Sequence, residues 1–337
     1  GGGGAVDGAV LAMTPGVERV LVLRALGLGD LYAAVAALRG IRRRWDTADI
    51  ALAVDPVLGA LMVAHGLADR VVPTEGLTTP PWDDPPPDVA VNLHGSGPQS
   101  HLALAQLAPA QLVAFRCAPA RFVDGPEWEA DEHEVDRWCR LVTSAGADCS
   151  AADLRLHPPE ARPGSPLVGL PVAPVVVHPG AAAGSRRWPA DRWAAVARSV
   201  AEEGRPVVVT GGPAERDACR TVAGAHPEVT DLCGRLDLHD LAALIGGARL
   251  LLSGDTGVAH LATAYGTPSV LLFGPTPPSQ WGPRIDSHLH RVLWRPAPND
   301  PPGDPHGHTT DVRLGRIGIE DVLAEARTLS ADEALRR

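Results

Sequence analysis

Acid, histidine and arginine side chains gather at four turns of this chain, each where a strand-like run gives way to a helical pattern. The first is "GLGDLY" (residues 27–32). Asp30 there can cap the helix that follows or take a proton from a reacting hydroxyl, and the stretch alone leaves both readings open. The second is "HPGAAAGSRRWPADRW" (residues 178–193). A strand ends in His178, Gly180 and the alanines after it allow close backbone approach, and Arg187 offers a bidentate charge suited to a diphosphate. Pro189 marks a helix start. In the third, "TGGPAE" (residues 210–215), Glu215 suits ribose hydroxyls and equally the positive end of its own helix. The fourth is "GDTGVAH" (residues 254–260). Asp255, Thr256 and Gly257 open a helix whose free N–H groups form an anion site, and His260 lies about one turn further in. Asp, Thr, Gly and His clustered behind a buried strand favour function there over capping alone.

The rest of the composition narrows the chemistry. The 337 residues suffice for two domains, and 45 % hydrophobic with 21 % charged residues is globular composition. A net charge of −10 argues against nucleic acid as a partner. All 30 basic residues are arginine, so lysine chemistry is excluded and phosphate must be met by Arg, His or backbone N–H groups. Five scattered cysteines without a C-x-x-C pair point to a reducing, cytoplasmic setting. Residues 1–13 read as a flexible lead and not a signal peptide, and no apolar run is long enough to span a membrane. The pairs His288/His290 and His306/His308 fall in irregular segments without a third ligand and are not read as a metal site.

To hold these turns in place, the sequence must build strands that carry them. Apolar runs at 20–24, 49–54 and within "RVVP", "DVAVNLHG" and "AQLVAFR" alternate with helical spacing, including one helix through Leu31, Ala34, Val35, Leu38 and Ile41. Prolines crowd residues 157–174, which read as a linker dividing the chain into domains 1–160 and 161–337. Beyond it, "VVVHPG", "PVVVTGG", "VTDLCG", "LLLSGD" and "SVLLFG" alternate with helices, and a last helix at 319–328 is expected to pack back across the linker. Uninterrupted apolar strands separated by helices mean parallel sheets covered on both faces, with ligands at the carboxyl ends of the strands.

Taken together, "RALGLGDLYAAVAALRGIRRRW", "VNLHGSGPQSHLALAQL", "HPGAAAGSRRWPADRWAAVA", "TGGPAE" and "SGDTGVAHLATAYGTPSVLLFGPTPPSQWGP" resemble glycosyltransferase family 9, the ADP-heptose heptosyltransferases and their relatives. The resemblance implies an α/β fold of GT-B type, two Rossmann-like domains facing across a cleft, with the donor on the second. It implies inverting transfer of a sugar, heptose foremost, from an ADP-sugar co-substrate, without a cofactor or an essential metal. The sequence has no D-x-D motif. Residue by residue, Asp30 matches the proposed general base, Arg187 a basic donor-side residue, Glu215 the ribose carboxylate, and Asp255, Thr256, Gly257 and His260 the diphosphate-side motif. Relatives often carry Thr or Ser where Ala181–Ala183 offer only backbone donors. Acceptor contacts are expected at Asn92, His94 and Ser96, just beyond a strand end. The acceptor is a hydroxyl of an envelope glycan or of a small natural product, and peripheral contact with a membrane is compatible with either. Two alternatives remain. One is an NAD(P)-dependent oxidoreductase using Gly27, Gly29 and Asp55, although Tyr32 replaces the third glycine of the fingerprint. The other is a non-catalytic nucleotide-sugar-binding protein.

Overall fold

The computed structural model describes residues 16–334, so the expected flexible lead lies outside the described residues. The first domain holds strands β1 (Arg19–Leu23), β2 (Asp49–Val54), β3 (Arg70–Pro73), β4 (Val89–Asn92) and β5 (Gln111–Val113). They pair in parallel in the order β3-β2-β1-β4-β5. Its helices are α1 (Leu28–Ala33), α2 (Val35–Arg44), α3 (Pro56–Ala64), α4 (Gln99–Ala105) and α5 (Glu134–Ser144). In β1, Val20 and Val22 join one core while Leu21 and Leu23 join another. That two-sided burial is why the strand is apolar throughout and does not alternate with polar residues.

The second domain holds β6 (Val175–His178), β7 (Val207–Val209), β8 (Val229–Asp231), β9 (Leu250–Gly254), β10 (Ser269–Leu272) and β11 (His290–Leu293). They form a second parallel sheet in the order β11-β10-β9-β6-β7-β8. Its helices are α6 (Ala190–Glu202), α7 (Arg216–Ala223), α8 (Leu238–Gly247), α9 (Gly257–Tyr265), α10 (Pro278–Trp281), α11 (Val312–Gly315) and α12 (Ile319–Ala334).

Three expectations are corrected. The helix expected through residues 31–41 is two, because Ala34 (φ −91°, ψ −2°) forms a turn between α1 and α2, its N–H donating to Leu31 O at 3.1 Å. The segment around His288–His290 is not irregular throughout: β11 is an edge strand, with His290 buried and its Nδ1 2.8 Å from Ser269 Oγ. Four residues mixing His and Arg with Val and Leu carry too little apolar pattern to announce it. Finally, the described core side chains of α12 pack on the second domain and not on the first. Val322, Leu323, Ala326 and Leu329 lie in the same core as Val175, Val177, Trp193 and Val270, so the helix covers the second sheet.

The two domains meet through their helix starts. A Cβ on Gly257 would stand 2.9 Å from Leu28 Cβ and 3.1 Å from Gly29 N, and one on Gly29 3.0 Å from His260 Cδ2. Only hydrogen at both positions lets α1 and α9 approach this closely. Behind them the buried hydroxyls of Tyr32 and Tyr265 are 2.7 Å apart with their rings edge to face. His133 Nε2 donates to Gly282 O at 2.9 Å and Arg284 Nε to Asp136 Oδ2 at 2.8 Å, joining the domains again at the rim. One apolar cluster runs through this boundary, from Val20 and Val22 to Val176, Val208, Leu251 and Leu271. The strands' carboxyl ends therefore face each other across a defined gap.

Candidate active site

That gap is a cleft of about 830 Å³, walled by the start of α1 on one side and by the turns after β6, β7, β9 and β10 on the other. Asp30, His178, Glu215, Asp255, Thr256, Gly257 and His260 all line it. Residues from four separate sequence stretches thus converge as their spacing suggested.

Asp30 is not the helix cap. Gly27 occupies that position, without a side-chain cap, and Asp30 is the third residue of α1. Its carboxylate stands 3.6 Å from Arg24 and is one-third exposed. Burial raises its proton affinity above the usual carboxylate range, Arg24 opposes this, and Glu134 adds to it. A carboxylate held on the basic side at a cleft wall is suited to accept a proton.

Opposite it, β9 ends and Thr256 caps α9 with extended backbone and no side-chain hydrogen bond, leaving the first N–H groups of a nine-residue helix facing the cleft. Asp255 is almost fully buried beside them. Burial pushes its carboxyl up to about 6, against the pull of Arg186 and with the help of Asp30. Burial, then His133, brings His260 down to about 4, so its ring is neutral near pH 7, edge to face with Trp281 at 5.8 Å.

The raised affinity of Asp255 has a stability consequence. Because the folded-state value exceeds the unfolded one, the native state holds the proton more tightly. Stability is therefore lost as pH rises from about 4 to about 6 and stays lost above that. Asp255→Asn removes this cost. The variant should be more stable than the parent by on the order of 2 kcal/mol near pH 8, with the gap closing near pH 4. Denaturant melts at the two pH values check this, and a variant less stable at both would contradict it.

At β6, His178 is buried with Nδ1 3.0 Å from Thr210 Oγ1 and Nε2 3.8 Å from Glu215 Oε2. Burial lowers its proton affinity, while Glu215 pulls the other way. Glu215 stands at the end of a 3₁₀ turn, Pro213–Glu215, and not inside α7. Its Oε2 accepts from Gly212 N at 2.7 Å. Gly180 does not line the cleft: its role is room, because a Cβ there would fall 1.8 Å from Glu215 Oε1. Past His178 a second hollow of about 200 Å³ opens between Gly211–Gly212 and Leu232, Leu236, Leu238 and Leu241.

The structure corrects other expected site residues. Arg187 is exposed, donates Nε to Ala181 O at 2.8 Å and does not line the cleft. Its neighbour Arg186 does, with Nη1 3.5 Å from Asp255 O and a buried Nε that has no hydrogen-bond partner. Consecutive residues leaving a 3₁₀ turn point in different directions, and the sequence offers no sign of which one turns inward. Asn92 does not face the cleft either. Its Nδ2 donates to Ser100 Oγ at 2.9 Å and lies 3.1 Å from His101 Nδ1, while Oδ1 accepts from His94 N at 3.0 Å, so it ties down its own loop. His94 and Ser96 are also outside the lining, and Ser96 is exposed. His94 adjoins Leu93, whose carbonyl Arg24 holds: burial and then Arg24 take its ring to about 4, and its buried Nδ1 has no partner. Asp55, the acid of the oxidoreductase alternative, is occupied in capping α3, accepting from Val57 N and Leu58 N. His306, set aside with its HGH neighbour, lines the cleft from the loop before α11, a position that composition did not signal.

Two parallel Rossmann-like sheets with this cleft between their carboxyl ends define the GT-B architecture. The profile of glycosyltransferase family 9 (heptosyltransferase) matches residues 123–299, more than half of the chain, and the chain belongs to that family. It is 31 % identical over 154 residues to lipopolysaccharide heptosyltransferase 3 of Escherichia coli, covering 44 % of this chain and 45 % of that protein. With lipopolysaccharide heptosyltransferase 1 of Pseudomonas aeruginosa the identity is 35 % over 133 residues, covering 39 % and 35 %. The chain thus spans half or less of the length of these curated relatives. The solved E. coli ADP-heptose LPS heptosyltransferase II superposes with a TM-score of 0.75 at 19 % identity, covering 94 % of this chain and 99 % of that one, a likeness of fold. No described helix is long and apolar enough to cross a membrane.

Proposed function

We propose that this chain is an inverting glycosyltransferase that moves a heptose from an ADP-sugar to an acceptor hydroxyl without needing a metal. The observation that carries the reading is the confrontation across one cleft of Asp30 with Arg186 and the open start of α9. A proton acceptor on one wall faces anion-binding groups on the other, which is what a single displacement between a hydroxyl and a sugar diphosphate requires. The family, and a fold neighbour whose description names ADP-heptose, support the donor.

In this reading the adenine enters the hollow beside Leu232, Leu236 and Leu241, and Glu215 uses its free oxygen on the ribose hydroxyls. The diphosphate lies against Arg186 and the N–H groups at Thr256–Gly257, with Asp255 accepting from a sugar hydroxyl. The acceptor oxygen attacks the anomeric carbon from the first-domain side as its proton passes to Asp30. The bond to the β-phosphate oxygen breaks, its electron pair leaves with ADP, and Arg186 and the helix start stabilise the added charge. One displacement inverts the anomeric centre. Placement in the cytoplasm, where nucleotide sugars are made, and a carbohydrate or small-molecule acceptor belong to the same proposal.

Fluorescence titration with ADP and NADH tests it, because Trp281 lines the cleft and reports on occupancy. Binding of ADP with weak or no response to NADH is expected, and the reverse would restore the oxidoreductase. Turnover should be nearly unchanged by EDTA, since arginine and helix N–H groups carry the charge. A strict Mg²⁺ or Mn²⁺ requirement would contradict that part. Binding of an ADP-sugar without any turnover would instead make the chain a sensor.

A further inference from the structure

Behind Asp30 lies a buried ionic cluster that the displacement does not touch. Arg24, at the end of β1, has no exposed surface. Its Nε and Nη2 donate to the backbone carbonyl of Asp30 at 3.0 and 2.8 Å, and Nη1 donates to Leu93 O. Nη2 also reaches Glu134 Oε1 at 3.0 Å, across 110 residues of sequence. Glu134 accepts further from Trp138 Nε1 at 2.7 Å and from Arg137 Nη1, and the Arg24 guanidinium stacks 4.7 Å over the Trp138 ring. Each of these groups is held by several others, so the cluster has one geometry.

We propose that Arg24 and Glu134 act as a positioning pair for the cleft carboxylate, Arg24 fixing the turn that carries Asp30 and Glu134 cancelling the charge that Arg24 would otherwise impose on it. The inference rests on the reading of Asp30 as the base. A lone buried guanidinium 3.6 Å from a carboxylate would stabilise its ionised form and weaken it as a base. A buried arginine fork is nonetheless the group that can hold a backbone carbonyl in two places. Glu134 reconciles the two demands by taking up the charge of Arg24 while leaving its fork on the carbonyl. The other charged or titratable groups around Asp30 are Arg186 before α6, Asp255 after β9, His260 on α9 against Gly29, and His94 after β4 against Arg24. None of them holds the α1 turn.

Titrating the Asp30 carboxyl by ¹³C NMR, with Asp30→Asn to assign the signal, tests this without relying on turnover. Glu134→Gln leaves Arg24 uncancelled, and the midpoint should fall by roughly half a unit or more; Arg24→Gln should raise it by a similar amount. Shifts of opposite sign are expected from the pair, whereas a merely structural role predicts none. Midpoints unmoved, or moved the same way, in variants with native circular dichroism would overturn the inference. Arg24→Lys keeps the charge and provides a folded variant if the glutamines fail. Its midpoint should stay near the parent's while kcat falls about tenfold at unchanged donor KM, and a parental kcat would overturn the positioning role. Full turnover in Asp30→Asn would sink the base assignment and leave the NMR outcome standing, so the two failures are distinguishable.

Discussion

Asp30→Asn should lose turnover by roughly 10²–10⁴-fold, the usual range for removing a general base, while ADP affinity and thermal stability hardly move. Asn has the same shape and fills the same place in α1, but it cannot accept a proton. The structure removes the competing explanation. Gly27 is the residue at the cap position, so no helix cap is lost with the carboxylate. Asp30 binds its proton more tightly than an ordinary aspartate because burial disfavours the charge. Replacing it with a neutral amide therefore removes a desolvated group and should not destabilise the domain. The donor groups lie on the opposite wall, so ADP binding is expected to survive. Steady-state kinetics with calorimetry on the same sample separate these effects. Turnover near the parental value would sink the base assignment, and a joint loss of turnover and stability would mean that the side chain supports the fold.

The second large effect is expected from the arginine that faces the cleft. Arg186→Gln should cost about 10²–10³-fold in turnover, the scale for losing one preorganised charge at a leaving group. Arg187→Gln should stay within about twofold, since the Arg187 side chain is exposed and donates to Ala181 O of its own loop. Arg186 carries the buried unpartnered Nε and acts electrostatically on both Asp30 and Asp255, so it is tied to the cleft on three counts. Its removal also takes away a cation that offsets the burial of Asp255, so the affinity of Asp255 for its proton should rise further. Comparing the two single variants in one donor-turnover assay decides the matter. A larger loss at Arg187 would reverse the assignment.

Most of the strands were legible because parallel strands buried on both faces must be apolar throughout, as in Val20–Leu23 and Leu250–Leu252. Asp30, Glu215 and Asp255 were legible for a related reason. Each lies in the turn or helix start that follows such a strand, and the carboxyl ends of parallel strands are where open sheets place ligands. What stayed hidden was long-range or directional. Arg24 meets Glu134 only because α5 joins the same apolar cluster as Val20 and Val22 of β1, and nothing local marks either residue as part of a pair. Asn92 looked like an acceptor contact, but Ser100 and His101 fold back to occupy it. The Tyr32–Tyr265 contact likewise spans 233 positions and two domains. Tyr32, which spoils the dinucleotide fingerprint, turns out to serve the domain boundary.

The most direct test of heptosyl transfer is mass spectrometry of products formed in whole-cell extract with a panel of ADP-, GDP-, UDP- and TDP-sugars. The account predicts that ADP-heptose yields a product carrying one added heptosyl unit, with release of ADP, and that Asp30→Asn yields little or none. Transfer from a UDP- or TDP-sugar in preference, or no transfer from ADP-heptose while another activity consumes NADH, would contradict it.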